Sequence, residues 1–137
     1  FCDPEAADIV FKFASLPDGP RVIASGLDIT STADCAVTAA SLASICKLNT
    51  TAAKIACRIL QYPIRTYSYF NLHDVFTLFS LLHPEIFKID SCGGVSISCA
   101  SDAFLGRCTI TPGSGNILIC RSVSTQMFNK MLLDGLS

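Results

Sequence analysis

Between Asp3 and Thr30 a helix signal, a tight turn and a short apolar strand follow one another, and that order points the chain toward a layered α/β architecture. Asp3 suits a helix N-cap, Pro4 the first helical position and Glu5 the positive end of the helix. Ala6, Ile9, Val10 and Phe13 then recur at helical spacing. Pro17-Asp18-Gly19-Pro20 ends this helix in a turn, Arg21 to Ser25 reads as a short buried strand, and Gly26 to Thr30 leaves it as a loop.

The same reading continues along the chain. A second helical region is expected after Ser31-Thr32-Ala33-Asp34, and a third from Thr51 to Gln61. The third carries an apolar stripe of Ala52, Ile55, Ala56, Ile59 and Leu60, with Lys54, Arg58 and Gln61 on the wet side and Pro63 breaking it. Tyr62 to Leu72 forms an aromatic, irregular segment. His73-Asp74 begins a helix over Val75 to Leu82 that is apolar on nearly every face and is therefore expected to be buried, with His83-Pro84 at its end. Four apolar segments then read as strands: Ile86 to Ile89, Val95 to Cys99, Arg107 to Ile110 and Ile117 to Cys120. A helix from Thr125 to Leu133 closes the chain.

Composition narrows the function. The formal charge is −1 and no Lys/Arg cluster occurs that could track a phosphate backbone, so nucleic acid is not an expected partner. No apolar run reaches the roughly 20 residues of a membrane-spanning helix, so no membrane partner is expected either. Half of the residues are hydrophobic and 15% are charged, against about a quarter in an average globular chain. Such a chain has more apolar surface to hide than its length suggests, which fits burial against a missing half or a partner. The sequence starts at Phe1 without a signal-peptide pattern, so it is expected to begin inside a longer, cytoplasmic product, secretion being the alternative. The eight cysteines include no C-x-x-C pair, which disfavours the usual zinc sites. They are expected to be reduced thiols that pack as small hydrophobes, as in Ile55-Ala56-Cys57 and Ile119-Cys120.

Several stretches, in order, resemble the inosine/uridine-type nucleoside hydrolases. Asp3-Pro4-Glu5-Ala6-Ala7-Asp8-Ile9-Val10-Phe11 is similar to the family's D-P-E-A-A-x-x-V-F helix, and Gly26-Leu27-Asp28-Ile29-Thr30 to its G-L-D-V-T. His73-Asp74 resembles its H-D-P, Leu82 to Phe87 the segment that follows, and Phe104-Leu105-Gly106-Arg107-Cys108 its T-R-G-x-T. The resemblance covers the whole chain but only the later half of the family.

It implies a Rossmann-like layered α/β fold, incomplete here, with residues 1–137 forming a partial domain. It implies hydrolysis of the N-glycosidic bond of a ribonucleoside substrate, an activity of purine and pyrimidine salvage. In the family one Ca²⁺ grips the ribose hydroxyls and a water nucleophile, and homo-oligomers are common. Carried over residue by residue, His73 matches the histidine that activates the leaving base and Asp74 a late calcium ligand. Tyr62 and Tyr67 lie where the family places tyrosines near the base. The residues alone also admit plainer roles: Asp74 as an N-cap, His73 as a loop histidine, the two tyrosines as packing or loop residues, and Asp28 as a structural loop residue.

The departures are specific. The family's D-x-D-x-x-x-D-D calcium motif does not occur in this sequence, and its aspartates, among them Asp102, stand singly. One ligand cannot hold an ion that takes about 6–8 oxygens, so this chain alone is expected to bind Ca²⁺ weakly or not at all and to be inactive. Val75 replaces the proline after His-Asp, and Leu105, Cys108 and Thr111 depart from the late motif. A non-catalytic remnant or interaction module of the same fold is the alternative.

Overall fold

The computed structural model describes residues 2–100 and 103–137. Phe1, Ser101 and Asp102 lie outside the described residues, and with them the solitary placement read for Asp102. The elements are helices α1 (Pro4–Ala14), α2 (Leu27–Thr30), α3 (Ala39–Cys46), α4 (Thr51–Tyr67), α5 (His73–Leu82) and α6 (Thr125–Leu136). The strands are β1 (Val22–Ala24), β2 (Ala36–Thr38), β3 (Tyr69–Asn71), β4 (Phe87–Cys92), β5 (Gly94–Ile97), β6 (Cys108–Thr111) and β7 (Ile117–Val123). The chain divides into two compact units, Phe1–Ala24 with Ile89–Arg121, and Ser25–Lys88 with Ser122–Ser137.

In the first unit β1 pairs in parallel with β7, Val22 facing Ile117 and Ala24 facing Ile119, within a sheet of order β1-β7-β4. β5 and β6 form an antiparallel ribbon in which Val95 faces Ile110. The start of α1 is the one the sequence dictates: Asp3 accepts a hydrogen bond from the Ala6 N–H at 2.9 Å, and Pro4 follows it. Its buried face is not the one the apolar spacing suggested. Ala14, with Ala7 and Phe11 beside it, packs on Cys92, Val95, Ile97 and Ile117, while Ile9 (67% exposed), Val10 and Phe13 (58% exposed) face outward. The helix is apolar on two sides, and its slimmer side lies on the strands.

Two polar contacts hold α1 in place. The Asp8 carboxylate takes the Lys12 ammonium at 2.6 Å one helical turn away, and its other oxygen accepts the Ile97 N–H at 3.3 Å. The turn after α1 is clamped by the Asn116 side-chain amide, which donates to the carbonyls of Leu16 and Gly19. Gly19 is needed there, since a Cβ would stand 2.3 Å from the Phe13 carbonyl oxygen.

The second unit is mainly helical. Val37, Leu42, Ile45, Leu60 and Ile64 form its core, with Leu72, Leu133 and Leu136 packed against them. β2 and β3 pair antiparallel, Val37 opposite Phe70. Phe76 of α5 stacks on Phe128 of α6 with ring centroids 3.8 Å apart, and Phe79 tilts onto the same ring. Thr50 caps α4 through the Ala53 N–H, and its hydroxyl donates to the Leu136 carbonyl.

Several expectations for this unit are corrected. Gly26 to Thr30 is not a loop but ends in the single helical turn α2. The region after Asp34 begins with a 3₁₀ turn and β2, and helix resumes only at Ala39. α4 passes through Pro63 to Tyr67 instead of breaking, and ends at Ser68 in the left-handed conformation (φ 69°). Pro63 deprives the Ile59 carbonyl of its helical partner, and Ile59 lies on the exposed side, where water can take that place. Ala53, Leu60 and Ile64 therefore form the buried face, with Ile55 outside it. α5 buries Phe76 and Ser80, yet Leu78, Leu81 and Leu82 stay exposed, so it is not buried on all sides. Two helix ends lie closer to expectation: His83 caps α5, and α6 runs three residues past Leu133.

The thiol expectation also divides. Cys35 and Cys92 are buried and free, as small hydrophobes, and Cys120 is buried. Cys57 is not a free thiol: it forms a disulfide with Cys46 that ties α4 to α3. The bridge closes a short loop, which in chain-entropy terms stabilises by roughly 2–3 kcal/mol.

Two outcomes are expected. Phe128→Ala opens a cavity beside Phe76 and lowers unfolding free energy by about 3–5 kcal/mol in urea titration; a loss below about 1 kcal/mol would contradict the buried stack. The Lys12 ammonium holds the Asp8 carboxyl below its ordinary range, aided by the Ile97 N–H. A carboxyl lowered in the folded state stabilises above its unfolded pKa, and that contribution is lost as pH falls through the lowered value. Asp8→Asn should therefore destabilise at neutral pH and flatten the acid limb of a stability–pH curve, an unchanged acid limb being the contrary result.

Candidate functional site

The second unit brings together two segments that carry family-like motifs. α2 is one turn long and opens from an extended Gly26. A Cβ at Gly26 would stand 2.3 Å from the Asp28 carboxylate, so the glycine leaves room for that side chain to fold back over the turn. At the end of the turn Thr30 is buried, 1% exposed. Its hydroxyl lies 2.8 Å from Nδ1 of His73 and 3.3 Å from the Gly26 carbonyl.

His73 is the first residue of α5, with Leu72 as its N-cap. The Phe76 N–H donates to the Leu72 carbonyl, so the first turn is closed by backbone and not by Asp74. Asp74 sits in that first turn as an exposed carboxylate, and the N-cap alternative raised for it is not realised. A negative charge there is favoured by the unpaired N–H groups and the dipole of the helix. The histidine is thus gripped on one nitrogen and exposed as a residue, with a carboxylate beside it.

The other residues singled out from the sequence fall elsewhere. Tyr62 and Tyr67 lie on α4 and are 73% and 63% exposed. A cavity of about 470 Å³ is lined by Ser31, Thr32, Ala33, Ala36, Thr38, Ser68 and Tyr69, and so begins at the residue after Thr30. Neither Thr30 nor Tyr69 is among the candidate site residues that the sequence offers. The clue to Thr30 was its place at the end of the Gly26–Thr30 motif, which was read as a unit without a role for its last residue. His83 pairs with Glu85 at 3.2 Å at the end of α5, in keeping with a helix-end histidine. The late motif Phe104 to Cys108 forms a turn in which Gly106 takes a positive φ and Arg107 lies over the Phe104 ring at 5.4 Å.

Among the described residues no group of three or more His, Cys, Asp or Glu side chains converges as a metal site. Asp74 supplies one carboxylate where the ion takes about 6–8 oxygens, so these residues alone do not fit Ca²⁺. Among the described residues, too, no helix is long and apolar enough to cross a membrane.

The sequence matches the inosine-uridine preferring nucleoside hydrolase family over residues 1–130. The chain belongs to that family. It is 30% identical, over an alignment of 149 positions, to the pyrimidine-specific ribonucleoside hydrolase RihA of Photobacterium profundum, covering 100% of this chain and 46% of the relative. A RihA from a Shewanella strain is likewise 30% identical, with 44% of its length covered. The chain thus spans under half the length of the curated relatives it matches.

Solved structures agree on the fold. A purine-preferring ribonucleoside hydrolase from Gardnerella vaginalis superposes with a TM-score of 0.75 at 20% identity, over 97% of this chain and 44% of that one. A plant nucleoside hydrolase gives 0.76 at 18% identity, over 97% and 45%. The chain therefore has a mixed α/β fold that matches nucleoside hydrolase structures over under half of their length, as the resemblance implied.

For Asp74 the helix position sets an expected outcome. Asp74→Asn should lower stability by only about 0.3–1 kcal/mol in urea titration, the value of a charge at a helix start. A loss above 2 kcal/mol would mean that the carboxylate is held by a direct partner.

Proposed function

We propose that this chain is part of a nucleoside N-ribohydrolase that cleaves the bond between ribose and base, with His73 on the side of the departing base. The observation that carries the reading is the contact between Thr30 and His73, which joins the family's G-L-D-V-T-like and H-D-like segments in one hydrogen bond. A base anion is a poor leaving group. A positioned imidazole N–H that bonds a ring nitrogen of the base, or passes it a proton, lowers that barrier, and such groups contribute typically 10²–10⁴-fold. Asp74, next to His73, is proposed as one carboxylate of a Ca²⁺ site whose other ligands come from elsewhere. Tyr62 and Tyr67 are proposed as base-side contacts, supported by their exposed positions in the segment before His73.

The reading also holds that the 137 residues act with further chain of the same domain. Two observations support it: the share of the relatives that is covered, and the apolar faces on α1 and α5, where Ile9, Val10, Phe13, Leu78 and Leu81 stand exposed. Exposed apolar faces of this kind mark contacts to be made. Ribonucleosides are the proposed substrate class, homo-oligomerisation the proposed assembly, and the cytoplasm the proposed location, in line with the free thiols of Cys35 and Cys92. The Cys46–Cys57 bridge is the feature that fits an oxidising compartment instead.

A non-catalytic module of the same fold is the second reading, favoured by the missing convergence of ligand side chains among the described residues and by the departures at Val75, Leu105 and Cys108.

Inosine and uridine hydrolysis separates the two, assayed with calcium and with a chelator. The 137-residue chain is expected to give no turnover. Joined to a segment carrying the aspartate cluster, it should give chelator-sensitive turnover that falls 10²–10⁴-fold in His73→Ala. Turnover by the chain alone would overturn the need for the remaining half, and none in the completed protein would favour the non-catalytic module.

A further inference from the structure

We propose that Thr30 is a positioning residue that holds His73 in the tautomer with the proton on Nε2, so that a neutral imidazole presents an N–H donor on its free side. The inference rests on the reading of His73 as the base-side group and goes one step further, to what sets that group's form.

A threonine hydroxyl has one proton to donate. The Thr30 oxygen has two neighbours that could accept it, Nδ1 of His73 at 2.8 Å and the Gly26 carbonyl at 3.3 Å. The carbonyl already receives two backbone donors, the N–H of Ile29 at 3.0 Å and of Thr30 itself at 3.1 Å, so its two lone pairs are taken. The carbonyl contact is also longer than a good O–H···O bond, whereas 2.8 Å suits a hydroxyl donating to a ring nitrogen. The shorter contact is the one we assign to the hydroxyl proton, with the Gly26 carbonyl a longer secondary acceptor; on that assignment Nδ1 is the bare nitrogen and the ring proton resides on Nε2.

Two features make Thr30 suited to this task. It is buried, so water does not compete for its hydroxyl. It also ends a turn that its own N–H closes onto Gly26, which fixes where the oxygen lies relative to the start of α5. The ring is then held by a bond at one end and free at the other. A departing nucleobase offers ring nitrogens and carbonyl oxygens that gain negative charge as the bond to ribose breaks. An outward N–H is the form that can bond to them without first taking up a proton from water.

The test reads the tautomer directly. In the ¹⁵N-histidine-labelled chain, whose only other histidine is His83, ring-nitrogen chemical shifts are measured above the histidine titration range. The expected result is an unprotonated Nδ1 and a protonated Nε2 at His73. Thr30→Val, of nearly the same shape, should move both nitrogens toward the averaged shifts of a ring free to exchange tautomers. Thr30→Ser should restore the single form, and unchanged backbone amide spectra show that each variant is folded. A protonated Nδ1 in the parent chain, or His73 shifts that do not move in Thr30→Val, overturns the proposal.

Kinetics in the completed enzyme then separate this idea from the one it rests on. Thr30→Val should lower kcat on the order of 10-fold with KM nearly unchanged, a part of what the histidine itself supplies, and Thr30→Ser should recover it. If the tautomer depends on Thr30 but His73→Ala keeps full activity, the base-side role of His73 fails and Thr30's hold on the ring stands. If His73→Ala abolishes turnover while the tautomer ignores Thr30, only the positioning role fails.

Discussion

The hydrogen bond between Thr30 and His73 is the contact on which the candidate site depends. It joins residues 43 apart in sequence, one ending a single helical turn and the other starting a ten-residue helix. Neither end is fixed by its own element alone, since α2 is too short to be stable by itself and α5 lacks a side-chain N-cap. Each end is anchored by packing: Ile29 and Thr30 are buried, and Phe76 locks α5 onto Phe128 of α6. The polar contact thus joins two elements that packing holds in place, one of them carrying a histidine that is otherwise exposed.

Hydrophobic surplus is the second theme. The chain has the apolar content of a larger body, and it spends part of that content on outward faces. On α1 Ala7, Phe11 and Ala14 go to the strands, and Ile9, Val10 and Phe13 to the outside. On α5 Phe76 and Ser80 go inward and Leu78, Leu81 and Leu82 outward. A helix between two layers needs two apolar sides, and these helices have them, in a family whose similar members are about twice as long as the present chain.

How far the sequence led can be judged element by element. Caps and turns were legible because their chemistry is local: Asp3-Pro4 started α1, Pro17 to Pro20 ended it, and all four late strands lay within a few residues of their places. What failed was any inference that needed neighbours. Spacing shows that a face is apolar but not which of two apolar faces is covered, hence the inverted reading of α1. Pro63 breaks a helix on propensity, yet packing of Leu60 and Ile64 on either side carries α4 through it. The Cys46–Cys57 pairing could not be read from irregular cysteine spacing, since it depends on two helices lying together. For the site, the His-Asp pair was visible as a motif, but the residue that grips the histidine was not, because a hydroxyl 43 residues away leaves no local signature.

The most direct test of this account is a double-mutant cycle between Thr30 and His73, read as unfolding free energy in urea for Thr30→Val, His73→Phe and the pair. A real hydrogen bond between a buried hydroxyl and the ring predicts a coupling of about 0.5–1.5 kcal/mol, so that the second substitution costs less once the first is made. Strictly additive effects would contradict it, and would leave the two motif segments as neighbours without the interaction that makes them one site.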